Sequence, residues 1–376
     1  MATPAEARVD LAAIRHNVAL LKESAGGAEV LGAVKADAYG HGLVPASEAV
    51  LQGGASRLGT AYIREALELR AGGITAPLLS WIITPGEPLD EALEAEIELS
   101  AADEGLLDEI AAAARRTGRT ARTHLEADTG MSRGGAPLAA WPGLLAKALA
   151  LQAEGAIEIV GLWSHFACAD MPGHGSIDRQ IEAFEAALKQ AEQAGAAGSH
   201  VIRHLANSAA TLTLPHTHYD MVRPGIAMYG LSPVPELGDF GLRPAMTLVA
   251  RIALAKRVPE SSGVSYGHLY VTSSETTLGL VPLGYADGIL RHATGLAEVL
   301  AGGRRRAIAG RVCMDQFMID VGDDPLAAGD EVILFGPGGR GEPTAQEWAD
   351  NLGTITHEIV TRIGSRVPRV YRGSGT

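Results

Sequence analysis

Lys35 closes the apolar run Val30-Leu31-Gly32-Ala33-Val34 and is followed by the small residues Ala36, Asp37 and Ala38. A lysine so placed has a desolvated stem and an amine at the end of a strand. Desolvation disfavours the ammonium, lowers its pKa and suits the amine to forming an imine with a carbonyl compound. By position alone, an ordinary surface lysine at a strand end is the better reading. Two further segments could serve an anionic group. Asn207-Ser208 and Gly225-Ile226 each follow a short, mostly apolar run. Ser208 would offer a hydroxyl and a helix N-terminus, and Gly225 would let backbone N–H groups approach a phosphate. A plain helix cap explains Ser208 equally well.

These residues need a scaffold that gathers them. The first two-thirds of the chain alternates short apolar runs with amphipathic stretches. Asp10 can cap a helix that carries Leu11, Ile14, Val18 and Leu21 on one face. Strands are predicted at 30–35, 57–61, 77–83, 96–101, 122–127, 158–165, 201–207 and 221–226. Helices are predicted between them, among others at 63–71, 104–117, 141–154 and 177–194. These strand–helix units predict an α/β fold, a (β/α)8 TIM-type barrel, with an open doubly wound sheet as competitor. The polar residues favour the barrel. Lys35, Asp128, His165, Asn207 and Arg223 fall at or just after strand C-terminal ends, which a barrel brings to one face. Barrels of this kind commonly bind phosphate with the loops after strands seven and eight, here Asn207-Ser208 and Gly225-Ile226.

After Leu237 the pattern changes. Alternating runs at 246–258, 276–282, 297–300, 306–308, 317–321 and 331–334 are separated by Gly-rich turns, with one helix at 344–352. This predicts a mainly β C-terminal domain. The barrel domain is placed at 1–236 and the β domain at 237–376, with the first residues, to about Asp10, packing on the second.

The 376 residues are ample for two domains. A hydrophobic share of 47% and a charged share of 20% are ordinary for a globular protein. The net charge of -13 argues against nucleic acid or an anionic membrane as partner. Arg304-Arg305-Arg306 follows Gly302-Gly303 and reads as a solvated hairpin. The two cysteines, Cys168 and Cys313, make no disulfide framework, and a reducing cytoplasm is expected. There is no metal-ligand spacing, no signal-peptide pattern at the start, and no apolar run long enough to span a bilayer.

Longer strings carry a family resemblance. Ala33-Val34-Lys35-Ala36-Asp37-Ala38-Tyr39-Gly40-His41-Gly42 closely resembles the cofactor-lysine signature of alanine racemases. Val9-Asp10-Leu11 with Ile14-Arg15-His16-Asn17 looks like the family's start. Asp128-Thr129-Gly130-Met131-Ser132-Arg133, Ser164-His165-Phe166-Ala167, Ala206-Asn207-Ser208 and Val222-Arg223-Pro224-Gly225-Ile226 are similar to further motifs, in the right order. So are Val264-Ser265-Tyr266-Gly267, Gly284-Tyr285-Ala286-Asp287-Gly288 and Cys313-Met314-Asp315-Gln316 in the second domain.

The resemblance implies a pyridoxal 5'-phosphate enzyme that racemises alanine and supplies D-alanine for peptidoglycan. It implies that Lys35 carries the cofactor as a Schiff base. Tyr39 joins Asn207, Ser208, Gly225 and Ile226 around the phosphate. Arg223 faces the pyridine nitrogen and His165 orients that arginine. A guanidinium cannot give up its proton, so the ring nitrogen stays unprotonated and simple reprotonation is favoured over transamination. Racemisation needs a base on each face of Cα. Lys35 serves one face, and the resemblance assigns the other to Tyr266 of the second subunit of a homodimer. Arg133 steadies cofactor and substrate, Met314 binds substrate across the dimer, and Tyr285 and Asp315 line the entrance.

Two positions depart from the family pattern. Members often carry a lysine, commonly carboxylated, seven residues before the arginine. Here Glu126 stands there, a carboxylate on a shorter stem, expected to position Arg133. His357 stands where many relatives have a phosphate-contacting tyrosine. An imidazole N–H can donate to phosphate, with affinity expected to weaken as the ring loses its proton. A racemase for another small amino acid such as serine shares every motif. A decarboxylase of similar architecture fits the Tyr266 motif less well. A non-catalytic pyridoxal phosphate carrier would need no second domain.

Overall fold

Asp10 ends the first strand and starts the first helix. Its carboxylate accepts from the N–H groups of Ala12 and Ala13 at 2.9 and 3.1 Å, satisfying donors that a helix start leaves unpaired. The computed structural model describes residues 3–373. The chain begins as β1 (Ala5–Asp10), α1 (Leu11–Ser24), β2 (Glu29–Ala33), α2 (Lys35–Gly40), α3 (Leu43–Gln52), β3 (Arg57–Thr60), α4 (Ile63–Ala71), β4 (Leu78–Ser80), α5 (Leu89–Glu94), β5 (Ile97–Ala101) and α6 (Glu104–Thr117). It continues as β6 (Ala121–Asp128), β7 (Ala136–Pro137), α7 (Trp141–Ala153), β8 (Ile157–Trp163), α8 (Ser176–Ala194), β9 (Ile202–His204), α9 (Ser208–Thr213) and β10 (Met221–Val222).

The parallel strands run in the order β10-β2-β3-β4-β5-β6-β8-β9, with β7 beside β6. Bonds from Asp220 N–H to Arg203 O and from Arg223 N–H to Ala206 O bridge the two ends. The expected barrel is therefore present and nearly closed. Helix α1 packs on α3 and α9, completing the outer ring from the N-terminal side. Its buried Asn17 donates to Met228 O and Arg243 O and accepts from Arg243 N–H.

The remaining elements are β11 (Met246–Arg251), β12 (Leu254–Val258), β13 (Gly263–Val264), β14 (Tyr270–Val271), β15 (Thr276–Val281), β16 (Glu298–Ala301), β17 (Arg304–Ala307), β18 (Phe317–Gly322), β19 (Glu331–Phe335), α10 (Ala345–Leu352), α11 (Thr356–Thr361) and β20 (Arg369–Arg372). They make the expected mainly β unit: a sheet β17-β16-β19-β11-β1-β20, a sheet β12-β15-β18 and a ribbon β13-β14. Strand β1 lies in the first sheet, antiparallel to β11 and parallel to β20. The run 246–258 is two strands, broken at Ile252–Ala253 and assigned to different sheets. The arginines of the β16–β17 hairpin are paired, Arg305 with Glu347 at 2.7 Å and Arg306 with Asp324.

One segment departs from ordinary backbone. Ala36, Asp37, Ala38 and Tyr39 have φ of 54°, 55°, 51° and 54°, so α2 is a left-handed turn. Each such residue costs about 1–2 kcal/mol when it is not glycine. The turn persists because its surroundings hold it. Glu65 accepts from Ala36 N–H at 2.7 Å and, on its other oxygen, from Ala61 and Tyr62 N–H. Asp37 accepts from Leu43 N–H at 2.7 Å, and His41 Nδ1–H donates to Tyr39 O at 2.9 Å. Helix α11 packs against the turn from the β unit. Glu65→Ala leaves three N–H groups without their shared acceptor. It is expected to destabilise the chain by about 2 kcal/mol, read as a lower urea midpoint, with Glu65→Gln losing less.

Candidate active site

The turn sets Lys35 at the barrel mouth with its amine 5.8 Å from the centre of the Trp81 ring. Among the described residues no hydrogen bond reaches that amine. Burial lowers its pKa, and the positive charges of Arg133 and Arg223 lower it further, against Glu65. A lysine so tuned holds a larger share of the free amine that imine formation requires.

Tyr39, at the other end of the turn, is buried, and burial pushes its phenol up so that it stays a donor. Its hydroxyl lies where a Cβ on Gly225 would come within 2.3 Å, so residue 225 has no room for a side chain. Ser208 Oγ accepts from Gly225 N–H at 2.7 Å and keeps its own proton free to donate. The cap of α9 is Asn207, whose Oδ1 accepts from Ala210 N–H at 3.1 Å; Ser208 lies one residue inside the helix. The N–H groups of Ser208 and Ile226 have no backbone partner among the described residues. His357, on α11, lies with its ring 6.0 Å from that of Tyr39, and its Nδ1 is buried without a partner. Free N–H groups, two hydroxyls and an unsatisfied imidazole nitrogen fit a phosphate.

Burial, with the charge of Lys35 nearby, pushes His357 down to about 4. The ring is therefore neutral at ordinary pH and keeps one N–H that can donate.

Arg223 is buried, and burial pushes it down to about 9. Its Nη2 donates to Ser164 O at 2.8 Å and to His165 Nδ1 at 3.2 Å, and its Nη1 to His204 Nδ1 at 3.1 Å. Burial and the same positive neighbours hold His165 neutral. Glu126 lies on β6 behind this group, its oxygens against Gly134. Burial pushes its carboxyl up to about 7, although Arg223 and Arg133 pull the other way. Arg133 sits exposed on a loop gathered by Asp128 Oδ1, which accepts from the N–H groups of Gly130, Met131 and Ser132. No hydrogen bond joins Glu126 to Arg133 among the described residues. At neutral pH Glu126 is only partly ionised, unlike the permanent carboxylate expected.

Tyr266, Met314, Tyr285 and Asp315 form a separate group on the β unit. Ser265 Oγ donates to Arg311 O, while Tyr285 and Ala286 N–H donate to Cys313 O and Met314 O. Asp315 pairs with Arg366 at 2.8 Å. Tyr266 is 72% exposed and Met314 53%, and no hydrogen bond links this group to the Lys35 group among the described residues.

Two family models match nearly the whole chain: alanine racemase, N-terminal domain, over residues 9–233, and alanine racemase, C-terminal domain, over 245–371. The chain belongs to the alanine racemase family. It is an isomerase of the racemase class. The alanine racemase of Frankia casuarinae is 60% identical over 366 residues, covering 96% of this chain and 95% of that protein. That of Thermobifida fusca is 56% identical over the full length of both. The crystal structure of alanine racemase from D-cycloserine-producing Streptomyces lavendulae superposes with a TM-score of 0.97 at 54% identity, over 100% of this chain and 98% of that one.

Against this racemase frame, sequence reasoning missed Glu65, Trp163 and His204. Trp163 lies under the Arg223 guanidinium at 4.7 Å. Each sits on a strand or helix face that periodicity can place, but nothing in the pattern names its partner. Glu126 yields a pH test. Its folded carboxyl titrates near 7, above the 4.5 it returns to on unfolding, so the folded chain binds the extra proton. Stability therefore falls as pH rises through that window. Glu126→Gln is expected to raise thermal stability above pH 7, by up to about 3 kcal/mol, and to change little at pH 4.5 or below.

Proposed function

We propose that this chain interconverts L- and D-alanine, using pyridoxal 5'-phosphate held at the barrel mouth. The observation that carries the reading is an unpaired, half-buried Lys35 amine between a donor-lined phosphate cradle and a buried arginine. The chemistry the cofactor supplies when bound is acidification of the Cα–H bond of an amino acid joined to it.

The residues divide the remaining work. Lys35 holds the cofactor covalently at rest, and its amine, once freed, removes or returns the Cα proton on one face. Tyr39, Ser208, His357 and the backbone N–H groups of Ser208 and Ile226 hold the phosphate, with Gly225 giving them room and Asn207 fixing the cap. Arg223, steadied by His165, faces the ring nitrogen as a permanent donor. Arg133 steadies the substrate and the cofactor, with Glu126 supplying a negative charge toward it to the extent that its carboxyl is ionised. Tyr266 protonates or deprotonates the opposite face.

The exposure of Tyr266 and Met314 supports a homodimer. A phenol standing away from its own chain's lysine is available to a second copy, with Met314, Tyr285 and Asp315 around the entrance. We place the enzyme in the cytoplasm, feeding D-alanine to peptidoglycan. Among the described residues no helix is long and apolar enough to cross a membrane.

A chiral product assay over a panel of L-amino acids tests the reading. D-alanine should form fastest, and a faster rate on L-serine would reassign the substrate. Tyr266→Phe should keep the bound cofactor's absorbance and lose about 10²–10⁴ in kcat. Activity should survive removal of bicarbonate; its loss, with recovery on adding bicarbonate, would sink the role of Glu126. His357→Ala should release pyridoxal phosphate more readily; unchanged cofactor affinity would defeat its contact with the phosphate.

A further inference from the structure

The interior of the barrel is divided. On one side Leu31, Leu79 and Met221 pack with Trp81 and Ile202. Barrel interiors are ordinarily filled throughout by such apolar side chains. On the other side, buried polar groups form an unbroken line away from the mouth. Arg223 Nη1 lies 3.1 Å from His204 Nδ1, His204 Nε2 lies 2.9 Å from His124 Nδ1, and His124 Nε2 lies 3.0 Å from Glu98 Oε2. Both imidazoles are 0% exposed and Glu98 is 4% exposed.

The ends force the direction of this line. A guanidinium has only donors, and an ionised carboxylate only acceptors. Arg223 donates to His204 Nδ1, so His204 carries its proton on Nε2. That proton goes to His124 Nδ1, so His124 also carries its proton on Nε2 and donates it to Glu98. Each ring is neutral, and one tautomer of each satisfies every nitrogen. Reversing either ring sets donor against donor or lone pair against lone pair. Burial pushes the Glu98 carboxyl up, but the His124 and Arg122 hydrogen bonds and the charge of Arg57 hold it below the usual carboxylate range. Arg57 Nη1 donates to both its oxygens and Arg122 Nε to one.

The strands are built around the line. Strand β6 pairs Thr123 with Ile159 but His124 with Gly161, a register slip at Val160. It brings Gly161 against the ring, where a Cβ would lie 1.9 Å from His124 Nδ1. Trp163 lies parallel to His204, 1° between planes and 5.7 Å between centres, and its N–H is tied to Ser100 Oγ.

We propose that Glu98 is a positioning residue for the Arg223 guanidinium, acting through His124 and His204 along this one-way chain of hydrogen bonds. The chain fixes the rotation of the guanidinium in the mouth, and with it the edge offered to a ring bound there. The proposal rests on the racemase reading for its turnover measurements, and not for its spectroscopic one.

The spectroscopic test uses protein labelled with 15N-histidine and stripped of cofactor. Wild type should show slowly exchanging, downfield ring N–H resonances from His204 and His124, each on Nε2, beside those of the buried His41 and His218. Glu98→Leu should lose the His124 resonance. In the loaded enzyme it should lower kcat roughly tenfold with KM nearly unchanged. It should also raise the pyruvate released per alanine racemised. Glu98→Gln, whose amide oxygen still accepts, should keep both resonances and most of kcat. If Glu98→Leu does not fold, His124→Phe breaks the same chain while Glu98 stays paired with Arg57 and Arg122. It should lose the His204 resonance with the same effect on turnover. Wild-type resonances in Glu98→Leu, or equal losses of kcat in the Gln and Leu variants, would overturn the proposal.

Discussion

A buried guanidinium keeps its charge across the neutral range, so the strands around it must supply acceptors for it. Arg223 imposes that constraint on the mouth. Its acceptors come from the ends of neighbouring strands: the carbonyl of Ser164 and a nitrogen each of His165 and His204. Meeting the demand with neutral imidazoles keeps further positive charge out of the pocket. Those imidazoles must in turn be kept neutral, which burial and the surrounding cations accomplish together. The packing of β8 follows from the same demand. Trp163 supplies a flat wall for both the guanidinium and His204, and Gly161 supplies the space for His124.

Much of this architecture is legible in the sequence because hydrophobic period and strand count are local properties. The barrel, the β unit and the gathering of Lys35, Asn207, Ser208, Arg223 and Gly225 at one end follow from alternating apolar runs and the residues that close them. What escapes is non-local or chemically silent. The run 246–258 has unbroken strand character, so nothing local says that its halves join different sheets. Ala36 and Ala38 carry no signal for left-handed backbone, since glycine and asparagine ordinarily mark it. His124 and Glu126 alternate on one face of β6, which places them inside the barrel without saying that one meets His204 and the other Gly134. The charge state of Glu126 is equally hidden, because it depends on how thoroughly distant segments bury it.

The two polar groups of the molecule differ in kind. The Lys35 group is enclosed, its charges shifted by burial and by one another. The group on the β unit is open, with large apolar and phenolic side chains facing outward beside a paired Asp315. Large exposed side chains of this sort mark surfaces that another molecule covers. Preorganisation resides in one group and access in the other.

The left-handed turn also bears on how such chains can be recombined. Gly40 is held without a side chain because a Cβ would lie 2.5 Å from Val360 O, and Gly42 because one would meet the Tyr371 hydroxyl at 1.9 Å. Arg369 adds a bond to Gly40 O at 2.9 Å. The segment that carries Lys35 is thus shaped by residues more than three hundred positions away in the β unit. A chimera joined at the end of the barrel would inherit the lysine from one parent and its mould from the other. The natural crossover unit is residues 35–42 together with the last strand and α11, which keeps the two halves of this molecule co-inherited.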